Sequence, residues 1–436
     1  MSSLMTIGKT IITIAVLWVL AIPSFLIALY YSVLQLLKSK KRTSKSTVLL
    51  TGGKMTKCLQ LARLFYSNGF KVVVVETPLY KYCGTRYSSS VSDFEIIPEI
   101  HSDGEDYQNE LARVAQKYNA DLFVPVSSPK SAYYSALARD KFQKKTMFFH
   151  LDAKTVKLLD HKHDFIELAK SIGLSVPESY TITSPQQLLN FEFTKEKSYV
   201  LKKLDYDPIH RLDLRTIPHQ GWEDRVKNLE IREDSSWVLQ EFIEGREVCV
   251  HTTSSKGKMT LYICCPSSPF QVNYQPIDVP EVRIWVTTFL QKLNATGQLS
   301  FDFIIRKNGE VIPIECNPRT HSAITLMHGQ PETVDAYTNV SKINDPIVPN
   351  AKANSTYWLY HELYRIITAF SFSKIKKLMQ RISSEKEAVF RKEDPWPFFF
   401  TNHISIPYQL WMLLFQGKEW LKIDFNIGKI VVSGGD

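Results

Sequence analysis

The chain has 436 residues, with 53 Lys and Arg against 44 Asp and Glu for a net charge of +9, and it is 44% hydrophobic and 22% charged. That balance is globular; it excludes a disordered chain, a collagen-like repeat and a polytopic membrane protein, and the length allows two to four domains. Six of the surplus charges, Lys9, Lys38, Lys40, Lys41, Arg42 and Lys45, fall in residues 1–45, which hold no acid, so the remainder carries only +3 and gives no support to a nucleic-acid partner.

The 28 positions between Lys9 and Lys38 are uncharged and mostly apolar, and a helix needs about 20 such residues to cross a bilayer. Pro23 lies inside the run, which membrane helices tolerate. By the positive-inside rule the basic cluster at 38–45 sets the remaining chain on the cytoplasmic side, with the short N-terminus outside. A cleaved signal peptide would have a shorter apolar stretch, its basic end first and small residues at its close. A buried core helix is disfavoured by the length and the basic flank. A single membrane anchor over 1–45 is therefore expected, with spanning and lying in one leaflet both open. Cys58, Cys83, Cys249, Cys264, Cys265 and Cys316 are scattered, without CxxC or zinc-like spacing, and read as reduced structural thiols.

Residues 47–53 (TVLLTGG) predict a buried strand ending in glycines, residues 56–67 a helix, and residues 71–76 (KVVVVE) a second strand. Signals at 94–97, 107–118 and 121–126 complete a Rossmann-like parallel sheet through about residue 150. Gly52-Gly53-Lys54-Met55-Thr56 has the superficial look of a phosphate loop, but the Walker pattern needs a glycine where Val48 stands and Ser or Thr where Met55 stands. A GxGxxG fingerprint is absent too. From Leu158 a helix is predicted, closed at Gly173. Strands at 198–203, 237–243, 247–253, 259–265, 299–306 and 311–316 then predict an antiparallel α+β half. From about Tyr357 amphipathic helices mix with an aromatic run at 396–400.

The chemistry-bearing residues concentrate in SFDFI at 300–304 and PIECNPRTHSA at 313–323. Asp302 and Glu315 sit on two strands joined by a turn at Lys307-Asn308-Gly309, and Glu315 and Asn317, two apart, share a face. Three oxygen donors at one spot suit Mg²⁺, which keeps waters and completes its shell with phosphate oxygens; Mn²⁺ is a possible substitute. A lone acid would read as solvated or paired with Arg306 or Arg319; two that interrupt apolar strands argue for inward-facing charge. WVLQEFIEGREV at 237–248 reads as a strand-to-loop hinge able to offer backbone groups to adenine and Glu244 to a ribose, or equally as an acidic surface hairpin. Lys162 and Lys202 can each reach phosphates as point charges, although isolated lysines are commonly solvated.

Taken in order, a Rossmann-like domain, DHK before a helix, a strand ending in lysine, the QEFIEG hinge and an Asp…Glu-x-Asn set resemble the ATP-grasp superfamily of ligases. The strings LLTGGKMTKCLQLAR, VPVSSPKSAYY, YDPIHRLDL, FQVNY, IECNPRTHSAIT, TYWLYHE and IDFNIGKIV…GGD resemble, along essentially the whole chain, the mycosporine-glycine synthases of that superfamily, which serve the mycosporine-like amino acid sunscreen pathway. The resemblance implies a Rossmann-like pre-ATP-grasp domain at 46–150, a two-lobed ATP-grasp domain at 151–350 and a C-terminal extension at 351–436 packed on it. It implies ATP and Mg²⁺ as cofactors, glycine and 4-deoxygadusol as substrates, and mycosporine-glycine, ADP and phosphate as products. Asp302, Glu315 and Asn317 are then the metal ligands, with Lys162 and Lys202 on the phosphates. Lys203 beside Lys202 leaves open which of the two touches phosphate. Gln240, Glu241, Phe242 and Glu244 form the adenosine set, and Glu247 orients a phosphate-binding lysine. Arg319 meets the transferring phosphoryl or the acceptor, and His321 and Ser322 touch the organic substrate, with His321 a candidate to take the glycine proton. Two other readings stay open: a carboxylate–amine ligase working through an acyl phosphate on another acid, and a membrane-tethered nucleotide-binding scaffold without catalysis.

Overall fold

The structure is a computed structural model that describes residues 2–36, 46–126, 128–203, 215–267, 273–350 and 354–432. The basic flank at 38–45, the YDPIHRLDL string, the first three residues of FQVNY and the closing GGD lie outside the described residues.

Five strands, β1 (Ser46–Thr51), β2 (Phe70–Glu76), β3 (Asp93–Ile96), β4 (Leu122–Val124) and β5 (Met147–Phe148), form a parallel sheet in the order β3-β2-β1-β4-β5. Its strands are apolar without alternation because both faces are covered. Val48, Leu50, Val72 and Val74 pack on Cys58, Leu61 and Phe65 of the helix Thr56–Ser67. Leu49, Val73 and Val75 pack on Leu111 and Val114 of the helix Glu105–Lys117 on the other face.

Two antiparallel sheets follow. β6 (Ser179–Ile182), β7 (Tyr199–Lys203), β8 (Thr216–Ile217) and β9 (Trp237–Glu241) are ordered β6-β9-β7-β8; β10 (Arg246–Ser255), β11 (Lys258–Pro266), β12 (Gly297–Ile305) and β13 (Val311–Asn317) are ordered β11-β10-β12-β13. Under the second sheet, Trp285 and Phe289 of the helix Pro280–Leu293 meet Phe165, Phe301 and Phe303 in one aromatic cluster. The link from β9 to β10 passes through Gly245, where an added Cβ would lie 2.2 Å from the Ile305 carbonyl oxygen. No side chain fits between those two backbones. The single helix predicted from Leu158 to Gly173 is in fact two, Ala153–Asp160 and Lys162–Ser171, broken at His161, whose backbone is extended (φ −87°, ψ 111°). The break puts Lys162 on the first turn of the second helix and Asp160 at the end of the first.

The C-terminal part carries the helices Leu359–Ile367, Phe372–Ser384, Trp396–Phe400 and Ile406–Phe415. Two small ribbons complete it, β14 (Thr356–Tyr357) with β15 (Lys386–Glu387), and β16 (Trp420–Asp424) with β17 (Lys429–Val432). It is tied to the first sheet by Asp394, which accepts from Arg63 Nε at 2.9 Å, Ser88 Oγ at 2.6 Å and the Ser89 amide at 2.8 Å. The turn after β16 also clasps the loop after β1, the Thr56 amide donating to the Asn426 carbonyl at 3.0 Å. The apolar N-terminal segment is one helix, Ser2–Leu36, long enough to cross a membrane. It lies against this C-terminal part, with Ile14 and Leu17 buried among Ile406, Leu410, Trp420 and Ile430. The six cysteines are free and buried.

Candidate active site

β12 and β13 pair in register with Asp302 opposite Glu315 and Ser300 opposite Asn317, so the two carboxylates and the amide share one face. Immediately beyond Asp302 the register shifts, Phe303 pairing with Pro313, which leaves Ile314 as an extra residue. A bulge of this kind re-aims the side chains beside it. Glu315 Oε2 is 2.9 Å from Lys162 Nζ, and its Oε1 accepts from the Asn317 amide at 3.2 Å. Desolvation works against the charge on both acids, but Lys162 holds Glu315 down to about 2, whereas Asp302, desolvated and facing that negative charge, is pushed far above the carboxylate range. One further positive charge at this spot would let both acids ionise. Among the described residues no group of three or more His, Cys, Asp or Glu side chains has the spacing of a metal cage. Two carboxylates and an amide are nonetheless the donor set with which Mg²⁺ is held when phosphates supply the rest.

Strand alternation sends Lys202 and Lys203 to opposite faces of β7. Lys202 turns to the face of Gln240 and donates to its Oε1 at 2.9 Å. Burial and the nearby Lys162 bring its ammonium down to about 8. Lys203 is on the opposite face of β7, and so is Glu241 on β9. Glu241 is therefore apart from Gln240: it is buried and accepts from Arg306 Nη2 at 2.7 Å, with Lys197 3.6 Å away. Phe242 and Glu244 follow in the exposed link toward Gly245. Glu247 accepts from Ser267 Oγ at 2.8 Å and adds negative potential at Asp302; among the described residues it meets no lysine, contrary to the orienting contact expected of it.

Arg319 is held at both ends, Nη1 on Asp160 Oδ1 at 2.7 Å and Nη2 on Asn317 Oδ1. His321 is recessed, its Nδ1 accepting from the Ala323 amide at 3.2 Å, and burial together with Lys57 and Arg319 lowers it to about 3. Both facts count against its taking a proton at neutral pH. Ser322 is buried and hydrogen-bonded to Tyr274, whose ring meets His321 edge-on at 5.3 Å.

Two residues that sequence reasoning passed over belong to the same region. Lys57 is buried, donates to the Thr320 carbonyl at 2.6 Å, and is brought down to about 7 by burial and Arg319. Its signal was position: Lys57 stands four residues before Leu61, on the buried stripe of its helix. Asp160, the partner of Arg319, was hidden by the unrecognised break at His161.

No protein-family profile and no curated protein sequence matches the chain. Solved structures do. N5-carboxyaminoimidazole synthetase from Staphylococcus aureus superposes with a TM-score of 0.53 at 18% identity, over 71% of this chain and 80% of that one. The same enzyme complexed with ADP gives 0.52. The biotin carboxylase domain of 2-oxoglutarate carboxylase from Hydrogenobacter thermophilus, in complex with MgADP and bicarbonate, gives 0.50 at 13% identity, over 69% of this chain and 70% of that one. The chain has the ATP-grasp fold.

Proposed function

We propose that the chain is an ATP-dependent ligase that forms a C–N bond. The observation that carries this reading is the Asp302–Glu315 pair with Lys162 set against it, in a fold whose solved representatives include ADP and MgADP complexes. Asp302, Glu315 and Asn317 would hold Mg²⁺, with Asn317 exchanging the two ends of its amide to offer oxygen. Bound there, the ion would neutralise phosphate charge during transfer. Lys162 and Lys202 bind the polyphosphate as point charges, Gln240 steering Lys202. Arg319, held by Asp160, neutralises the transferring phosphoryl group. Lys57 holds the Thr320 carbonyl and with it the turn that carries Arg319 and His321. His321 and Ser322 orient the acceptor.

The substrates are glycine and 4-deoxygadusol, on the strength of the strings shared with the mycosporine-glycine synthases. The acceptor is a cyclic 1,3-dicarbonyl enol, a vinylogous acid whose oxygen leaves poorly. That oxygen attacks the γ-phosphorus and ADP departs. The glycine amine then adds to the carbon bearing the phosphate, phosphate leaves, and the amine loses a proton to give mycosporine-glycine. The N-terminal helix attaches the enzyme to a membrane, with the catalytic body on the cytoplasmic side.

The test is incubation of the full chain, in detergent, with ATP, Mg²⁺, glycine and 4-deoxygadusol. Glycine-dependent phosphate release and a new ultraviolet-absorbing product with the mass of mycosporine-glycine are expected. Phosphate release that follows an ordinary carboxylic acid instead would replace the acceptor by an acyl phosphate former, and no turnover with any acid would leave a nucleotide-binding scaffold.

A further inference from the structure

The N-terminal helix is not a free stalk. Lys9 Nζ donates to the carbonyls of Trp420 and Leu421, each at 3.2 Å, and lies 3.5 Å from the Trp420 ring. Trp420 Nε1 donates to Thr10 Oγ1 at 2.8 Å, and His403 Nδ1 to the Leu17 carbonyl at 2.7 Å. Phe25 packs edge-on to Trp396 and Phe399, Tyr31 packs on Phe390, and Gln35 reaches the Lys392 carbonyl. These contacts run from residue 9 to residue 35, a length of about 39 Å at 1.5 Å per residue. A bilayer's hydrocarbon core is only about 30 Å thick. In a crossing orientation, the folded body alongside the helix would be drawn into the core, and with it Lys81, whose ammonium stands 5.6 Å from the Tyr408 ring on the helix Ile406–Phe415 that receives Ile14 and Leu17. Charged groups there are costly.

The opposite face of the same helix is apolar and uncovered: Ile12, Val16, Val19, Ile22, Leu26 and Val33 are all exposed. A second apolar ridge starts where the helix meets the body. Tyr360 Oη donates to His403 Nε2 at 3.0 Å, and Tyr364 and Ile367 continue its stripe at helical spacing, both exposed. Phe370 and Phe372, at the bend into the next helix, stand in solvent, Phe372 at 83% exposure. Between Glu362 and Glu385 there is no acid, while Arg365, Lys374, Lys376, Lys377 and Arg381 are present, the three lysines exposed. An exposed aromatic bend followed by a basic helix matches the chemistry of an anionic lipid surface.

We propose that the protein is monotopic: the helix Ser2–Leu36 lies in the plane of one leaflet with both ends on the body's side, and the Phe370–Phe372 bend with Lys374, Lys376 and Lys377 is a second point of contact with anionic lipid. The proposal rests on the membrane attachment above and replaces a crossing helix by an in-plane one.

The full chain is reconstituted by addition to preformed vesicles of phosphatidylcholine and phosphatidylserine. Co-flotation tests attachment itself; its absence overturns both readings. In floated protein, Ser3→Cys and Glu419→Cys are exposed to a membrane-impermeant maleimide. Labelling of both before detergent is expected, and protection of Ser3→Cys, with or without protection of Glu419→Cys, overturns the in-plane arrangement while leaving attachment intact. An environment-sensitive fluorophore on Ser371→Cys should brighten on vesicles containing phosphatidylserine and be quenched by nitroxide lipids. A signal unchanged from water overturns the second contact.

Discussion

Glu315 of β13 stands directly across from Asp302 of β12, and the lysine that meets Glu315 at 2.9 Å comes from the opening turn of a helix more than 150 residues earlier. Burial, and then the charge on Glu315, push the Asp302 carboxyl up, while Lys162 holds Glu315 down, so two acids share one cation.

Glu315→Gln removes a metal ligand and its transition-state charge neutralisation, several kcal/mol, so turnover should fall by roughly three powers of ten. The melting temperature should change little, because without the Glu315 charge the Asp302 carboxyl can ionise and answer Lys162 in its place. Steady-state rates over a Mg²⁺ titration, with thermal melts of the same protein, check both halves.

Lys202 is a cation below about pH 8 and neutral above it, because burial and Lys162 lower it from 10.5. A phosphate contact made by a point charge is lost as the lysine deprotonates, so the KM for ATP should rise as pH passes 8. Bound polyphosphate favours the ammonium and moves that limit upward, so turnover at saturating ATP should hold to higher pH. Lys202→Arg keeps its charge and should flatten the KM profile. Initial rates across the neutral to alkaline range decide it.

Arg319 is aimed by a bidentate arrangement, Asp160 on one side and Asn317 on the other. Asp160→Asn weakens a charge-assisted hydrogen bond of about 1.5–3 kcal/mol and should lower kcat roughly 10- to 100-fold with little change in KM for glycine. Arg319→Lys should not be conservative, since an ammonium cannot span both partners.

Asp394→Ala should destabilise the fold by about 3–5 kcal/mol, because it leaves the poorly exposed Arg63 without its counter-charge. Urea unfolding of the full chain in detergent is the measurement, and a shift under 1 kcal/mol would mean the pair behaves as a surface one.

The parallel sheet, the antiparallel strands and the Asp302–Glu315–Asn317 face were legible because each follows from local periodicity and one short turn. Partners far apart in sequence were not. Glu241 looked free in the QEFIEG hinge, yet Arg306 from β12 occupies it. His321 looked like a base until its burial and the nearby Lys57 and Arg319 charges were seen together. The apolar run of the N-terminal helix carries no mark distinguishing lipid from protein, so its docking on Ile406, Leu410 and Trp420 could not be read from hydropathy.

That docking also sets an order of events at the ribosome. The helix is made long before the surface that receives it, from Ile406 to Ile430. At about 5–20 residues per second, some 400 residues of synthesis separate the two, roughly 20 to 80 seconds. Throughout that interval the nascent helix has no intramolecular partner, and a bilayer or a ribosome-associated factor must shelter it until the rest of its own chain arrives.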